Sequence, residues 1–216
     1  MTSTETTESD QMPTRFHMDD EKISWRYGKP NYSIVNQRYL KEKVSCHKAD
    51  SLAKLVENVV KTWEMEAAHK KDLKDWGSID TEKFEMVVNG RSSFDGKALI
   101  ELGSYNGFLV DCPFYNGKDL SFDFSHKLFK RCFNKGYAWE VLEIFSGPPR
   151  IAITWRHWSH FTGNYGDSKP TGELLEMIGS AVVTMNDKNQ MEKLELFYDP
   201  NPTVMALKGI KCPLDA

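Results

Sequence analysis

Apolar residues return every three or four positions between Asp50 and Lys71, at Leu52, Leu55, Val56, Val59, Val60, Trp63 and Ala67. That spacing predicts a helix with one buried face, and Asp50 or Ser51 stands where its N-cap belongs. "DLKDWGSID" breaks the pattern, and "KFEMVVNG" reads as a strand ending at an Asn-Gly turn. "FDGKALIELGSYNGFLV" reads as a helix capped by Asp95 and weakened by Gly103 and Gly107. Residues 124–133 form another helical piece, with Phe124, Leu128, Phe129, Cys132 and Phe133 on one side. Upstream, a Gly-Lys-Pro-Asn turn leads into a short helix over 33–43 that packs onto the main body.

The period then changes. "GYAWEVLEIFS" and "RIAITWRHWSHF" are two strands joined through Gly-Pro-Pro, and "ELLEMIGSAVVTM", "NDKNQ" and "MEKLELFYD" make a second hairpin. Helices first and hairpins after give an α+β fold: a strongly curved antiparallel sheet with helices closing one face. The expected layout is a disordered tail over 1–22, an extension over 23–50 that packs on the domain, the domain itself over 51–200, and a loosely docked tail over 201–216.

Composition narrows the function. A hydrophobic content of 40%, with 12% aromatic, supports a real core. A net charge of −3 with no basic run gives no reason to expect a nucleic acid partner. Cys46, Cys112, Cys132 and Cys212 are scattered without a C-x-x-C pair, which favours reduced thiols. The N-terminus has no apolar signal region and no run approaches the ~20 residues of a membrane span, so the expected location is cytoplasmic, with no membrane partner. The Asn31-Tyr32-Ser33 sequon is then idle.

Several stretches carry a family resemblance: "WRYGKPNYSIVN", "KTWEMEAAHK", "NGR", "SYNGFL", "FSHK", "LEIFSGPPRIA", "WRHW" and the block "PTGELLEMIGSAVVTMNDKNQMEKLELFYD". Together they resemble the plant pathogen-related proteins and their fungal relatives, and the last block resembles the C-terminal part of SnoaL-like polyketide-cyclase domains. The likeness runs from about residue 23 to 199. It implies the cone-shaped cystatin-like α+β fold, a deep pocket under the helices, and dimerisation through the sheet. The chain departs from the small cyclases in its N-terminal extension and in Glu195 and Leu196, which stand where cyclases often place Trp and Asp. The cyclase mechanism is therefore not carried over.

In such a fold the end of the first long helix points into the pocket. Glu66 and His69, three apart, then share a face suited to general acid–base work, with Trp63 one turn earlier. On the strand "ITWRHWSHFTG", Trp155, His157 and Ser159 share one face, and Thr154, Arg156, Trp158 and His160 the other. His157 and His160 therefore cannot both enter a pocket without a bulge, and they make a poor metal chelate. The resemblance leaves both open as acid or base, since cyclases favour a role near His160 and pathogen-related proteins centre on His157. Trp155, Trp158 and Arg156 are candidate ligand contacts. Glu176 is either a half-buried base or an ion-pair partner of Arg156, and Glu195 occupies the acidic region of the last strand. Tyr105 and Asn106 can hydrogen-bond a carbonyl. "SYNG" lacks the ending of a phosphate loop.

These features suggest a cofactor-independent lyase, isomerase or cyclase. It would act by proton transfer on a small apolar metabolite, aromatic or polyketide-like, without metal. The alternative is a non-catalytic protein that binds such a metabolite in a stress or pathogen response. Apolar and aromatic residues on both faces of 153–161 also predict a homodimer through the outer face of the sheet.

Overall fold

The structure, a computed structural model, describes residues 12–211. The expectations for 1–11 and 212–216, including Cys212, lie outside the described residues. Helices α1 (Ser33–Glu42) and α2 (Leu52–His69) come first. Strands β1 (Glu85–Val88) and β2 (Ser92–Asp95) follow, then helices α3 (Gly96–Leu102), α4 (Ser104–Phe108) and α5 (Phe122–Cys132). Four strands complete the sheet: β3 (Ala138–Ile144), β4 (Arg150–His160), β5 (Leu174–Met185) and β6 (Met191–Phe197). Helix α6 (Asn201–Leu207) ends the described chain.

Capping and turn chemistry set these boundaries. Ser51 Oγ accepts from Lys54 N at 3.2 Å and opens α2, and Asp95 does the same for α3 through Ala98 N at 2.7 Å. Asn89 and Gly90, both at positive φ, turn β1 back into β2, a strand the sequence pattern did not reveal. The long helix predicted after Asp95 is two short ones, because Gly103 sits at φ 88°. A Cβ there would also lie 2.9 Å from the Phe122 ring.

The sheet runs β2-β1-β6-β5-β4-β3 and is curved and unclosed. Its pairings are antiparallel except for β1 with β6, which is parallel. Register shifts at Val141/Glu143 and Thr184/Met185 help bend it. Val56, Val60, Trp63 and Ala67 of α2 pack against the concave face, on Val141, Ile151, Ile153 and Trp155 among others.

The outer face is not bare. Helix α1 wraps round the β3 edge, so that Tyr39, Ala138 and Trp158 form a small cluster of their own. Trp158 is fully buried, and its Nε1 donates to Glu42 Oε2 at 2.9 Å. The aromatic content of this face, read in the sequence as an interface signal, is thus covered in part by the chain's own extension. Two further expectations need correction. Residues 12–22 are not a free tail: Thr14 N donates to Asn58 Oδ1 and Phe16 N to Thr62 Oγ1, which lays the segment along α2. The start of the C-terminal tail is α6, with Val204 and Leu207 buried.

Helix α2 also buries two carboxylates. Glu57 accepts from Tyr39 Oη at 2.7 Å and from the backbone N of Val141 at 3.2 Å, and it pairs with Lys61 at 2.9 Å. His47 Nε2 lies 2.7 Å from the Val141 carbonyl, so both backbone groups of that edge residue have partners. Glu66 takes Lys70 Nζ and Gly77 N, each at 2.8 Å, and Ser78 through its N and Oγ. In a Glu66→Ala variant the N–H groups of Gly77 and Ser78 and the Ser78 hydroxyl lose this acceptor, and Lys70 keeps only the Asp75 carbonyl at 2.6 Å. Leaving Lys70 buried without its counter-charge predicts a loss of about 3 kcal/mol or more, read as the shift of the urea midpoint. An unchanged midpoint contradicts this role.

Candidate active site

Between α2, α4, α5 and the concave face of the sheet lies a cavity of about 440 Å³. Alternation along β4 puts Ile153, Trp155 and His157 on its floor. Register does the rest: Trp139 pairs with His157, and Tyr137, two residues before it, lies on the same side. From above, one ridge of α2 contributes Val60, Glu64 and Ala68, four residues apart, with Trp63 and His69 beside them. Tyr105, Phe108, His126 and Phe129 close the helical side.

Two titratable groups meet at the bottom. His157 Nε2 lies 4.0 Å from Glu64 Oε1, and the Tyr137 ring stacks on the imidazole at 3.7 Å between centroids. Glu64 is 25% accessible and His157 16%, and both line the cavity. Burial pushes the Glu64 carboxyl up to about 7, against the opposing pull of Arg15 and Lys61. Burial also holds His157 down to about 3. At neutral pH the pair is therefore a half-ionised carboxyl beside a neutral imidazole, and not a salt bridge. Desolvation raises the Tyr137 phenol well above its ordinary value, so it stays a proton donor. Its Oη, and the Nε1 atoms of Trp63 and Trp155, are buried without a hydrogen-bond partner among the described residues. A buried donor without an acceptor is costly, and a ligand oxygen removes that cost.

The sequence candidates divide into two groups. Trp63, His69, Tyr105, Trp155 and His157 all line the cavity. Glu66 does not: it lies on another side of α2, its carboxylate bound to Lys70 and the 77–78 loop. Arg156, Trp158 and His160 point to the outer face. Arg156 pairs with Glu176 at 2.7 Å and Glu140 at 3.2 Å, and His160 meets Glu42 at 3.4 Å. Glu176 is thus an ion-pair partner, and Glu195, also on the outer face, pairs with Arg150 at 3.1 Å. Asn106 spends its amide on Leu102, Leu120 and Tyr115.

Glu64, Tyr137 and His126 went unnoticed in the sequence. Glu64 had a signal, because it follows Val60 by four residues and so puts a carboxylate into an apolar stripe. Among the described residues no group of three or more His, Cys, Asp or Glu is arranged to hold a metal ion, and no helix is long and apolar enough to cross a membrane.

The fold is thus a curved α+β sheet closed by helices over a cavity that holds a carboxyl, an imidazole and, among the described residues, unpartnered donors. No family model matches the chain. It is 31% identical to the "Pathogen-related protein" of Hordeum vulgare over 199 residues, 88% of this chain and 85% of that one. The chain belongs to the pathogen-related protein family. Among solved structures it is similar to one described as a SnoaL-like polyketide cyclase, from Jannaschia Sp. CCS1. That likeness has a TM-score of 0.44 and 14% identity, covering 77% of this chain and all of the other. It is also similar to TerC co-crystallised with polyporic acid, at TM-score 0.40 and 10% identity, over 71% of this chain and 98% of that one.

The raised Glu64 carboxyl has a thermodynamic signature. Between pH 4.5, where the unfolded carboxyl ionises, and about 7, the folded chain still holds the proton that the unfolded chain has lost. Glu64 therefore makes stability fall as pH rises through that window. The Glu64→Gln variant lacks this loss, so relative to the parent it should gain stability between pH 5 and pH 8 in denaturant titrations. An equal difference at both pH values contradicts a raised carboxyl.

Proposed function

We propose that the protein is a cofactor-independent enzyme that moves a proton on a carbon next to a carbonyl, in a small and largely apolar metabolite. The observation that supports this is the Glu64 carboxyl, held near neutrality beside a neutral His157 under unpartnered phenol and indole donors. Ionised Glu64 takes the proton as the C–H bond breaks. The electron pair moves onto the carbonyl oxygen, where Tyr137 Oη and an indole N–H stabilise the enolate. Returning the proton to another carbon gives an isomerase. Expelling a β-substituent gives a lyase, and attack of the enolate on a second carbonyl closes a ring. His157 neighbours the carboxyl and carries no charge at working pH.

The histidines lining the cavity are neutral above about pH 5, so the rate should climb with ionisation of Glu64 and level off above pH 7. The test is exchange of the α-protons of 2-tetralone with D₂O, followed by NMR. Glu64→Gln should lower the catalysed rate by about 10²-fold or more. Equal exchange in parent and variant removes Glu64 from the chemistry. Saturable binding of 2-tetralone with no exchange above buffer favours the storage role instead.

The dimer belongs to the same proposal. With Trp158 covered, the outer face still exposes Ile178 by 60% and Phe197 by 44% near the centre of the sheet. A second copy laid on that face would cover both, and cytoplasmic residence suits the free thiols of Cys112 and Cys132. Light scattering should give twice the chain mass, reduced to a single chain by Ile178→Asp. A monomeric parent at micromolar concentration refutes the dimer.

A further inference from the structure

The rim of the cavity carries a second group of polar residues that proton transfer at Glu64 leaves unused. His69 ends α2 and His126 lies in α5, and their rings meet edge to face at 5.4 Å. His126 is only 7% exposed, yet its Nε2 has no hydrogen-bond partner among the described residues, and neither has His69 Nδ1. Lys130, one turn after His126, is exposed, lines the cavity, and has no ion pair among the described residues.

The charges around this trio are unbalanced. Among the described residues His69 feels His126, Lys130 and Arg15, all of which disfavour its charge. Around His126, Lys130, Arg26 and Lys127 stand against Asp123. Asp123 accepts a hydrogen bond from Tyr27, whose ring stacks on His126 at 4.7 Å. Arg26 spends its guanidinium on the carbonyls of Lys70 and Ile100, and Arg15 lies over the Tyr32 ring. Tyr32 and Tyr105 approach the two imidazoles as neutral phenols. The rim therefore holds basic nitrogens that no group among the described residues satisfies.

We propose that His69, His126 and Lys130 form an anion subsite, and that the ligand is an amphipathic organic carboxylate. Its charged end sits at the rim, and its apolar body lies among Trp63, Tyr105, Phe129 and Trp155. This rests on the reading that the cavity takes a small metabolite. A monoanion fits better than a phosphate dianion, because one exposed lysine beside two neutral rings cannot offset the desolvation of two charges. Burial first, and the neighbouring cations after it, hold His69 down to about 3 and His126 to about 4. An arriving carboxylate reverses that balance and favours uptake of a proton by one imidazole. Binding then tightens as pH falls.

The probes are anthracene-2-carboxylate and its neutral counterpart anthracene-2-carboxamide, titrated by fluorescence. The carboxylate should bind about tenfold tighter at pH 6.5, the gain of a charge-assisted hydrogen bond. That preference should widen between pH 8 and pH 6. It should shrink to near unity in Lys130→Met and in His126→Gln. Equal affinity for the two probes overturns the subsite and leaves the cavity reading intact. A carboxylate preference that survives both substitutions overturns the assignment to these residues. Binding of neither probe overturns the subsite together with the cavity reading.

Discussion

The fold depends on a strand that must be covered on both sides. Side chains along β4 alternate, so Ile153, Trp155 and His157 face inward and Arg156, Trp158 and His160 outward. Five of these six carry rings or charge, and neither face tolerates water on all of them. The inner face is met by α2 and the cavity. The outer face is met by α1, which leaves α2 behind it and reaches round the sheet edge to bury Trp158. The N-terminal extension is therefore part of the core.

The same division sorts the charges. On the outside, carboxylates and cations find each other: Arg156 with Glu140 and Glu176, and Arg150 with Glu195. Under α2, Glu57 and Glu66 are buried but fully engaged, and they act as staples between helix, loop and strand. Inside the cavity the rule is suspended. Glu64 faces no cation close enough to hold it ionised, and His157 no acid that holds it protonated. Burial then decides, and it drives a carboxyl and an imidazole to their neutral forms side by side. The raised carboxyl lowers stability as pH rises towards 7.

Much of the architecture was legible because it is written in periodicity. The 3.6-residue stripe of α2, its Ser51 cap and the alternation of β4 and β5 all depend on neighbours in sequence. Alternation also showed correctly that His157 and His160 diverge. Which face was the inner one was not legible, because both carry aromatic and titratable groups, and α1 approaches from more than a hundred residues away. Choosing Glu66 over Glu64 failed for a related reason. Two carboxylates two residues apart on a helix differ by about 200° in direction, and the loop that captures Glu66, at Gly77 and Ser78, has no signature in the helix itself. Tyr137 was missed because its role is set by the β3–β4 register.

The treatment of Val141 has a consequence for how the molecule meets its surroundings. Its N–H is taken by the Glu57 carboxylate and its carbonyl by His47, so the middle of the β3 margin is covered by side chains from α2 and the segment before it. A strand left open at that margin is a template for another chain, through which curved sheets lengthen into fibres or capture extended peptides. Here the two backbone groups of Val141 are already occupied. An extended segment arriving at Val141 therefore finds no free backbone pair to extend.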